Sequence, residues 1–240
     1  MRRATIAIVG IFLAAWCGTG AAHAATPAKP RQPVVVELFT SQGCSSCVAA
    51  DKLVDGIADR PGVLALTLAV DYWDYLGWDD TFAKPEFSAR QRAYMKRLAL
   101  HDLYTPQVIV DGQAQSAGAD GGKIDQLIRQ AERQKASGPK IRLIRHGKVL
   151  VGAGRAPPGG ADVWLVRYDP SVQEIAVKRG ENRGQTLTQK NVVRELVRLG
   201  GWRGKELAYA LAPGDESKTL ASCILVQASH GGRILGVLQK

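Results

Sequence analysis

The chain has 240 residues, a net charge of +10 and four cysteines. A chain of this length can bury a full hydrophobic core, so a small scaffold held together by disulfides is excluded. The positive charge does not identify a nucleic-acid-binding protein, because no recognisable binding motif accompanies it. We therefore expect the cysteines to serve chemistry rather than scaffolding.

The N-terminal segment has the pattern of an export signal. Two arginines precede the apolar run ATIAIVGIFLAAW, and Ala22-His23-Ala24 matches a small-residue cleavage pattern. Residues 1–24 are thus predicted to be a signal peptide cleaved after Ala24, and the mature protein to be periplasmic or secreted. The apolar run is too short for a membrane span, and no second long apolar stretch follows, so no membrane span is expected.

Charge divides the mature chain into two parts. Residues 25–135 carry 13 Lys and Arg against 14 Asp and Glu, a net of −1, whereas residues 136–240 carry 17 against 8, a net of +9. The breaker Ser137-Gly138-Pro139 lies between them, so we expect two domains, residues 25–137 and 138–240. The basic part is either a surface for an anionic partner or a solvated surface, and it contains no Lys/Arg-rich block.

Strand and helix patterns alternate in the first part. QPVVVELF predicts a buried strand, TSQGCSSC a turn, CVAADKLVDGIAD a helix and VLALTLAV a second buried strand, which together make a βαβ unit with the cysteines between strand and helix. A helix over residues 86–101 follows. A hairpin in YTPQVIVDGQAQSAG, turning at Asp111-Gly112, and an amphipathic helix in DGGKIDQLIRQAERQ complete this part.

Alternation with a period of two recurs in the second part. KIRLIRHGKVLVGA predicts a hairpin, and ADVWLVRYD, VQEIAVKRG, ELAYALAP, SCILVQAS and RILGVLQK predict strands. QKNVVRELVRLGGW fits either a strand or a short helix. We expect an antiparallel, sandwich-like β domain in which Cys223 is a buried, inert thiol.

The order of elements in the first part resembles the thioredoxin fold. The resemblance rests on Cys44-Ser45-Ser46-Cys47 after the first strand and on Thr105-Pro106 opening a later strand. It implies that Pro106 is cis and faces the cysteines, and that Glu37 relays a proton to Cys47. Residues 71–101 are then a helical insertion. The predicted fold class is therefore an α/β thioredoxin-like domain with a helical insertion, followed by a mostly antiparallel β domain.

A closer resemblance is to a secreted thioredoxin-like family, domain-of-unknown-function family 1223. It is carried by ELFTSQGCSSC, the following AD, VDYWDYLGW, ARQRAY, YTPQ and RGENRG, and it covers nearly all of the mature chain. The family name records no activity, so function has to be argued from the residues.

Three roles are open for Cys44 and Cys47: a dithiol redox pair, an inert disulfide, or half of a metal site. The N-terminus of a helix stabilises a thiolate, so Cys44 is predicted to be the exposed nucleophile and Cys47 the buried resolving thiol. A structural zinc site needs four ligands, and neither a second Cys-x-x-Cys nor paired histidines occur. We expect no metal and no other cofactor.

The predicted function is an exported thiol–disulfide oxidoreductase that acts on protein thiols or disulfides in the periplasm, with Cys44, Cys47, Thr105, Pro106 and Glu37 as catalytic residues. The alternative is a non-catalytic partner-binding or assembly protein of the cell envelope, in which the same bridge is structural. The accessibility of Cys44 separates an enzyme from a binding protein, and the sequence indicates no oligomeric state.

Two further segments each have two interpretations. DYWDYLGWDD, with Tyr72, Trp73 and Trp78, is either a binding lip or a packed insertion. RGENRG is either a plain turn or a contact to the other domain or to a ligand.

Overall fold

The computed structural model describes residues 32–135, 138–211, 213 and 219–240. Within this part of the chain strands dominate. The helices are α1 (Cys47–Ala58), α2 (Pro85–Arg97) and α3 (Gly121–Gln134), with a short 3₁₀ helix at Asp74–Leu76. The strands are β1 (Val34–Thr40), β2 (Val63–Ala69), β3 (Gln107–Val110), β4 (Ala114–Ala117), β5 (Ile141–Ile144), β6 (Lys148–Val151), β7 (Ala161–Asp169), β8 (Gln173–Ala176), β9 (Thr186–Gln189), β10 (Val192–Trp202), β11 (Leu207–Ala210), β12 (Ala221–Ala228) and β13 (Ile234–Gln239).

Eight strands form one mixed sheet in the order β13-β12-β7-β10-β2-β1-β3-β4. Strand β2 pairs parallel with β1 and with β10, whereas all other neighbours run antiparallel. Strands β5, β6 and β11 form a three-stranded antiparallel sheet, and β8 and β9 form a two-stranded one. The large sheet therefore contains strands from both parts of the chain.

Both faces of the large sheet are covered, which explains why β1 is buried along its whole length and mostly apolar. On one face Val36 and Leu38 of β1 pack with α1 and α3, and the three-stranded sheet covers the β7 and β12 end. On the other face Val35 and Phe39 pack with Phe87 of α2 and with side chains of β7, β10 and β12. This second core runs across the sheet from β13 to β3.

Local sequence signals fix the N-terminal ends of two helices, α2 and α3. Helix α2 begins with Pro85, whose fixed φ suits the first turn and whose missing N–H has no partner there. Helix α3 is capped by Asp120, whose carboxylate accepts a hydrogen bond from the N–H of Lys123 at 2.9 Å. Helix α1 has no such cap, a feature that matters for the cysteines.

The predicted fold class is wrong. The described residues are mostly strand, and the eight-stranded mixed sheet replaces the expected α/β thioredoxin-like domain followed by a separate β domain. The predicted helical insertion, residues 71–101, supplies Phe87 and Tyr94 of α2 to the core that spans the sheet. It is a layer of the core because these aromatic side chains cover strands from both parts of the chain.

Several local expectations are confirmed. The hairpins at Asp111-Gly112 and His146-Gly147 form, and all four turn residues have positive φ. The ambiguous QKNVVRELVRLGGW stretch forms β10. The domain boundary at residues 137–138 stays a prediction, although Gln32–Lys240 form one compact unit.

The predicted signal peptide, residues 1–24, lies outside the described residues. Among the helices that the structure describes, none is both long and apolar enough to cross a membrane.

Candidate active site

The two cysteines lie where the turn after β1 leads into α1. Cys47 is the first residue of α1, and it forms a disulfide with Cys44, with 5.4 Å between the Cα atoms. The N-cap residue Ser46 makes no side-chain cap bond, and the first turn carries no acidic residue. Instead, Ser46 Oγ lies 3.3 Å from Cys44 Sγ. The N–H of Cys47 donates to the carbonyl oxygen of Cys44 at 3.2 Å, whereas the positive dipole end of α1 has no acidic side chain and is available to stabilise a thiolate.

Thr105 and Pro106 form the second part of the site. Their peptide bond is cis, as the resemblance implied. Thr105 Oγ1 donates a hydrogen bond to Cys44 Sγ at 3.4 Å. A Cβ added at Gly118 would come within 2.7 Å of Pro106 Cβ and 2.8 Å of Ala50 Cβ, so glycine is required for this close contact beside α1.

Both cysteines are buried: Cys44 is 1% exposed and Cys47 has no exposed surface. The prediction that Cys44 is an exposed nucleophile is therefore wrong in this structure. The reason is a cover made of two segments. We call residues 71–82, which follow β2, the aromatic cover, and residues 179–184, the RGENRG stretch between β8 and β9, the loop cover.

The loop cover contacts the cysteine turn through hydrogen bonds. Asn182 is fully buried, and its Nδ2 donates to the carbonyl oxygens of Gln42 and Cys44 at 2.9 and 3.0 Å. The N–H of Ser45 donates to the Glu181 carboxylate at 3.0 Å, and this bond lowers the pKa of Glu181. The RGENRG stretch is thus a contact to the first part of the chain, one of its two open interpretations.

The aromatic cover is anchored to both sides of the disulfide. Trp73 Nε1 donates to Thr105 Oγ1 at 2.7 Å, and Trp78 Nε1 donates to Gln42 Oε1 at 2.9 Å. The N–H of Gln42 donates in turn to the carboxylate of Asp80 at 2.7 Å. Burial raises the pKa of Asp80 to about 6, although the hydrogen bonds that its carboxylate accepts from the N–H groups of Gln42 and Phe82 lower it.

The three predicted binding residues therefore differ in position. Trp73 and Trp78 close over the site, whereas the hydroxyl of Tyr72 donates to Gln91 of α2 at 3.1 Å. The exposed aromatic side chain at this place is Tyr75, which is 79% exposed and stacks on Trp73 with 6.3 Å between ring centroids. Tyr75 is not among the binding residues predicted from the sequence.

Glu37 faces α2 and not the cysteine turn, so the structure does not bring together the predicted proton relay from Glu37 to Cys47. Its carboxylate accepts bonds from Arg90 Nε at 2.5 Å and Arg90 Nη2 at 3.1 Å, and from the hydroxyl of Tyr94. The alternation of β1 explains the position, because the residues on either side of Glu37 face α1 and Glu37 itself faces α2.

Asp51 is the buried acid on the cysteine side of the sheet. It lies four residues after Cys47, on the same side of α1, and is 2% exposed. Its carboxylate accepts bonds from Thr40 Oγ1 at 2.8 Å and Gln189 Nε2 at 3.3 Å, and within the described residues no cation is paired with it. Burial raises the pKa of Asp51 to about 8.

The amide of Gln189 fits a protonated Asp51. Gln189 is fully buried, and its Oε1 has no hydrogen-bond partner among the described residues. Turning the amide over would let a protonated Asp51 donate to that oxygen. The spacing from Cys47 to Asp51 could have identified this acid from the sequence, whereas nothing in the sequence places Asn182 or Asp80 at the site.

The remaining thiol, Cys223, is buried and unpaired, as predicted. Burial raises the pKa of this thiol, which keeps it protonated and unreactive. In the described part of the chain, no three His, Cys, Asp or Glu side chains converge in a way that could hold a metal ion.

Comparison with known proteins identifies a family and similar solved structures. Residues 35–227 match the family described as "Protein of unknown function (DUF1223)". The crystal structure of protein AGR_C_4864 from Agrobacterium tumefaciens is similar, with a TM-score of 0.72 and 29% identity over 88% of this chain and 95% of that chain. Among curated proteins, nothing matches.

Proposed function

Because the chain belongs to the DUF1223 family, whose description assigns no activity, we propose from its own site that it exchanges disulfides with cysteines of other proteins. The observation that carries the proposal is the Cys44–Cys47 bridge at the N-terminus of α1, with Thr105 Oγ1 against Cys44 Sγ. The export pattern of residues 1–24 supports a periplasmic or secreted location, where disulfides persist. A relationship to thioredoxin-like oxidoreductases is proposed for these local elements alone.

The proposed reaction begins with attack on Cys44. A substrate thiolate attacks Cys44 Sγ, the Sγ–Sγ bond breaks, and Cys47 leaves as a thiolate stabilised by the N-terminus of α1. A second substrate thiolate then attacks the substrate sulfur of the mixed disulfide and releases Cys44. The substrate dithiol becomes a disulfide, and its two electrons reduce the cysteine pair. The reverse sequence reduces a substrate disulfide.

Asp51 is suited to the proton transfer in this reaction. A protonated Asp51 can give its proton to the departing Cys47 thiolate, and its carboxylate can take the proton back when Cys47 attacks a mixed disulfide. A pKa near the working pH suits a group that must both donate and accept. Asp51 thus takes the role that the sequence assigned to Glu37.

Substrate access requires the cover to open, since Cys44 is 1% exposed. Asn182 and Trp78 both contact Gln42, so the two parts of the cover share one anchor beside the disulfide. Partner binding that displaces Gln42 would therefore release the aromatic cover and the loop cover together.

The test is to trap the mixed disulfide. The Cys47→Ser variant, expressed in its native compartment, is expected to accumulate reducible adducts on Cys44, because the resolving thiol of Cys47 is gone. Non-reducing electrophoresis and mass spectrometry would identify them. Cys223→Ser in the Cys47→Ser background is the matched control and should keep the adducts. Equal adduct formation after removal of Cys44 would overturn the proposal.

A second candidate function is a non-catalytic assembly protein in which the bridge is structural, and the burial of Cys44 favours it. A structural bridge is expected to have a reduction potential below about −300 mV and to leave insulin disulfides intact. A catalytic pair is expected in the range of known oxidoreductases, with insulin reduced in the presence of dithiothreitol. One redox titration of the folded protein separates the two.

A further inference from the structure

A cleft lies on the α2 face of the large sheet, away from the cysteines. It consists of two adjoining cavities that share Ala89 and Ala93 of α2 in their walls. The inner cavity measures about 200 Å³ and the outer one about 520 Å³. Ligand sites of proteins are commonly several hundred cubic ångströms, so together they are large enough for a small molecule.

The inner cavity is mostly apolar. Its walls include the half-buried Trp164 of β7 and Leu196 of β10, together with the two alanines of α2. It exists because Ala89 and Ala93 are too small to fill the space between helix and sheet. Arg90 lines it as well, but its guanidinium is already bonded to Glu37, Tyr94 and Gln227, so it fixes the wall and is not a free cation.

The outer cavity is basic. It is lined by the exposed side chains of Arg92, Lys96, Arg97 and His230, and no acidic residue takes part in its lining. None of these four forms an ion pair with any residue that the structure describes. Lys96 and Arg97 also offset the dipole at the C-terminal end of α2, but that role does not explain the other two.

The position of His230 is set by the turn between β12 and β13. His230 has a positive φ of 61°, and the next residue, Gly231, packs on the α2 backbone at Ala93, where an added Cβ would lie 3.1 Å from a backbone atom. A turn in this conformation holds the imidazole beside the three cations of α2. The one acidic group of the cleft, Glu86, lines the inner cavity from the N-terminal turn of α2.

We propose that this cleft binds an anionic amphiphile, a single alkyl chain with a phosphate or carboxylate head. The chain lies against Trp164 and Leu196, and the head lies among Arg92, Lys96 and Arg97. Glu86 repels an anion at the opposite end, so the cleft accepts the ligand in one orientation. An apolar chain alone would leave the cations unused, and an inorganic anion alone would leave the apolar wall exposed. The proposal does not depend on the redox function.

The experiment is isothermal titration calorimetry of the mature protein with decyl phosphate, kept below its micelle concentration. The triple variant Arg92→Gln, Lys96→Gln, Arg97→Gln removes the basic wall, and Ala89→Leu, at an exposed helical position, fills the apolar space. The triple variant is expected to weaken binding about tenfold or more, because a surface cation contributes about a factor of five toward an anionic group. Ala89→Leu is expected to weaken it by a similar factor, because the leucine side chain occupies the space of the alkyl chain. The matched control, Lys123→Gln, Arg129→Gln, Arg133→Gln on α3, removes the same charge elsewhere and should bind as the wild type does.

Three further arms decide the nature and source of the ligand. Flotation with phosphatidylglycerol vesicles, lost in the α2 triple variant, would support a membrane lipid as the source, whereas decyl phosphate binding without flotation would support a free amphiphile. Inorganic phosphate binding as tightly as decyl phosphate would overturn the proposal, since the chain would then contribute nothing. Absence of decyl phosphate binding, or equal loss in the α3 control, would also overturn it.

Discussion

Two carboxylates lie buried on opposite faces of the large sheet, and their surroundings differ. Glu37, on the α2 face, accepts two hydrogen bonds from Arg90 and one from Tyr94, so its charge has a cation in contact. Asp51, on the α1 face, accepts bonds from the neutral groups of Thr40 and Gln189. Their exposures are nearly equal, at 1% and 2%. A buried carboxylate with its counter-ion is a structural element, whereas one without a counter-ion retains its proton near neutral pH.

The largest expected effect comes from removing the counter-ion of Glu37. Arg90→Met leaves Glu37 buried without its cation, and we expect a loss of about 3–5 kcal/mol in the free energy of unfolding. Urea denaturation at pH 7 measures it. The double variant Glu37→Gln, Arg90→Met should recover most of that loss because no charge remains buried. A loss below about 1 kcal/mol for Arg90→Met would contradict the structural role.

The free energy of unfolding should depend on pH through Asp51, the carboxylate without a counter-ion. The folded-state pKa of Asp51, about 8, lies above its ordinary value of 3.8, so between these values the unfolded chain releases a proton that the folded protein keeps. Stability from this group is therefore complete below about pH 4 and declines up to about pH 8, by at most about 1.4 kcal/mol per pH unit. Asp51→Asn should remove that decline and be about 2–4 kcal/mol more stable than the wild type at pH 8.

A kinetic measurement separates proton transfer from stability. Asp51→Asn should also slow reduction of the bridge by dithiothreitol about tenfold or more, because the leaving Cys47 thiolate loses its acid. Asp55→Asn, one turn further along α1, removes a half-buried carboxylate and serves as the matched control. An identical rate for the two variants would leave Asp51 with no part in the chemistry.

A single substitution in the loop cover should expose the disulfide. Asn182→Ala leaves the carbonyl groups of Gln42 and Cys44 without their donor, and we expect a loss of about 1–3 kcal/mol of stability together with faster reduction of the bridge. Arg183→Gln, at the next and exposed position, is the control. Unchanged reduction kinetics in Asn182→Ala would show that the loop cover does not limit access.

The smallest effect is expected at the rim of the loop cover. Glu181 is exposed and accepts one bond from the N–H of Ser45, so Glu181→Gln should leave the midpoint of urea unfolding unchanged. The rate of bridge reduction should rise by about twofold or less, as expected for one weakened exposed contact. Stopped-flow reduction with dithiothreitol measures it, and a rise as large as that in Asn182→Ala would reverse the order of the two contacts.

The site was predictable where its parts are local in sequence. Cys44 and Cys47 follow an apolar β-branched run and precede a helical pattern, and Asp51 lies one helical turn later. Asp111-Gly112 is a turn signal whose two positive φ values the structure confirms. Glu37 was misplaced because a period of two shows which residues share a face but not which helix covers that face.

The sheet and the cover were not predictable because they depend on contacts distant in sequence. Strand β10 joins β2 through a bridge between Val192 and Thr67, supported by a bond from Thr67 Oγ1 to the carbonyl oxygen of Lys190 at 2.8 Å. No local pattern in either strand identifies the other as its partner. The change from a net of −1 to +9 near residue 136 reflects surface composition, whereas the core continues across that point.

The separation along the chain between Cys44 and its two groups of contacts sets an order of events during synthesis. Thr105 follows Cys44 by 61 residues, whereas Asn182 follows it by 138. A polypeptide that emerges from its N-terminus thus contains both thiols and Thr105 before the loop cover exists. We expect chains ending before Asn182, which lack the loop cover and the strands that follow it, to exchange their bridge readily, and folded full-length chains to resist exchange in the same alkylation assay. The age of the polypeptide would then determine whether its disulfide is open to other thiols.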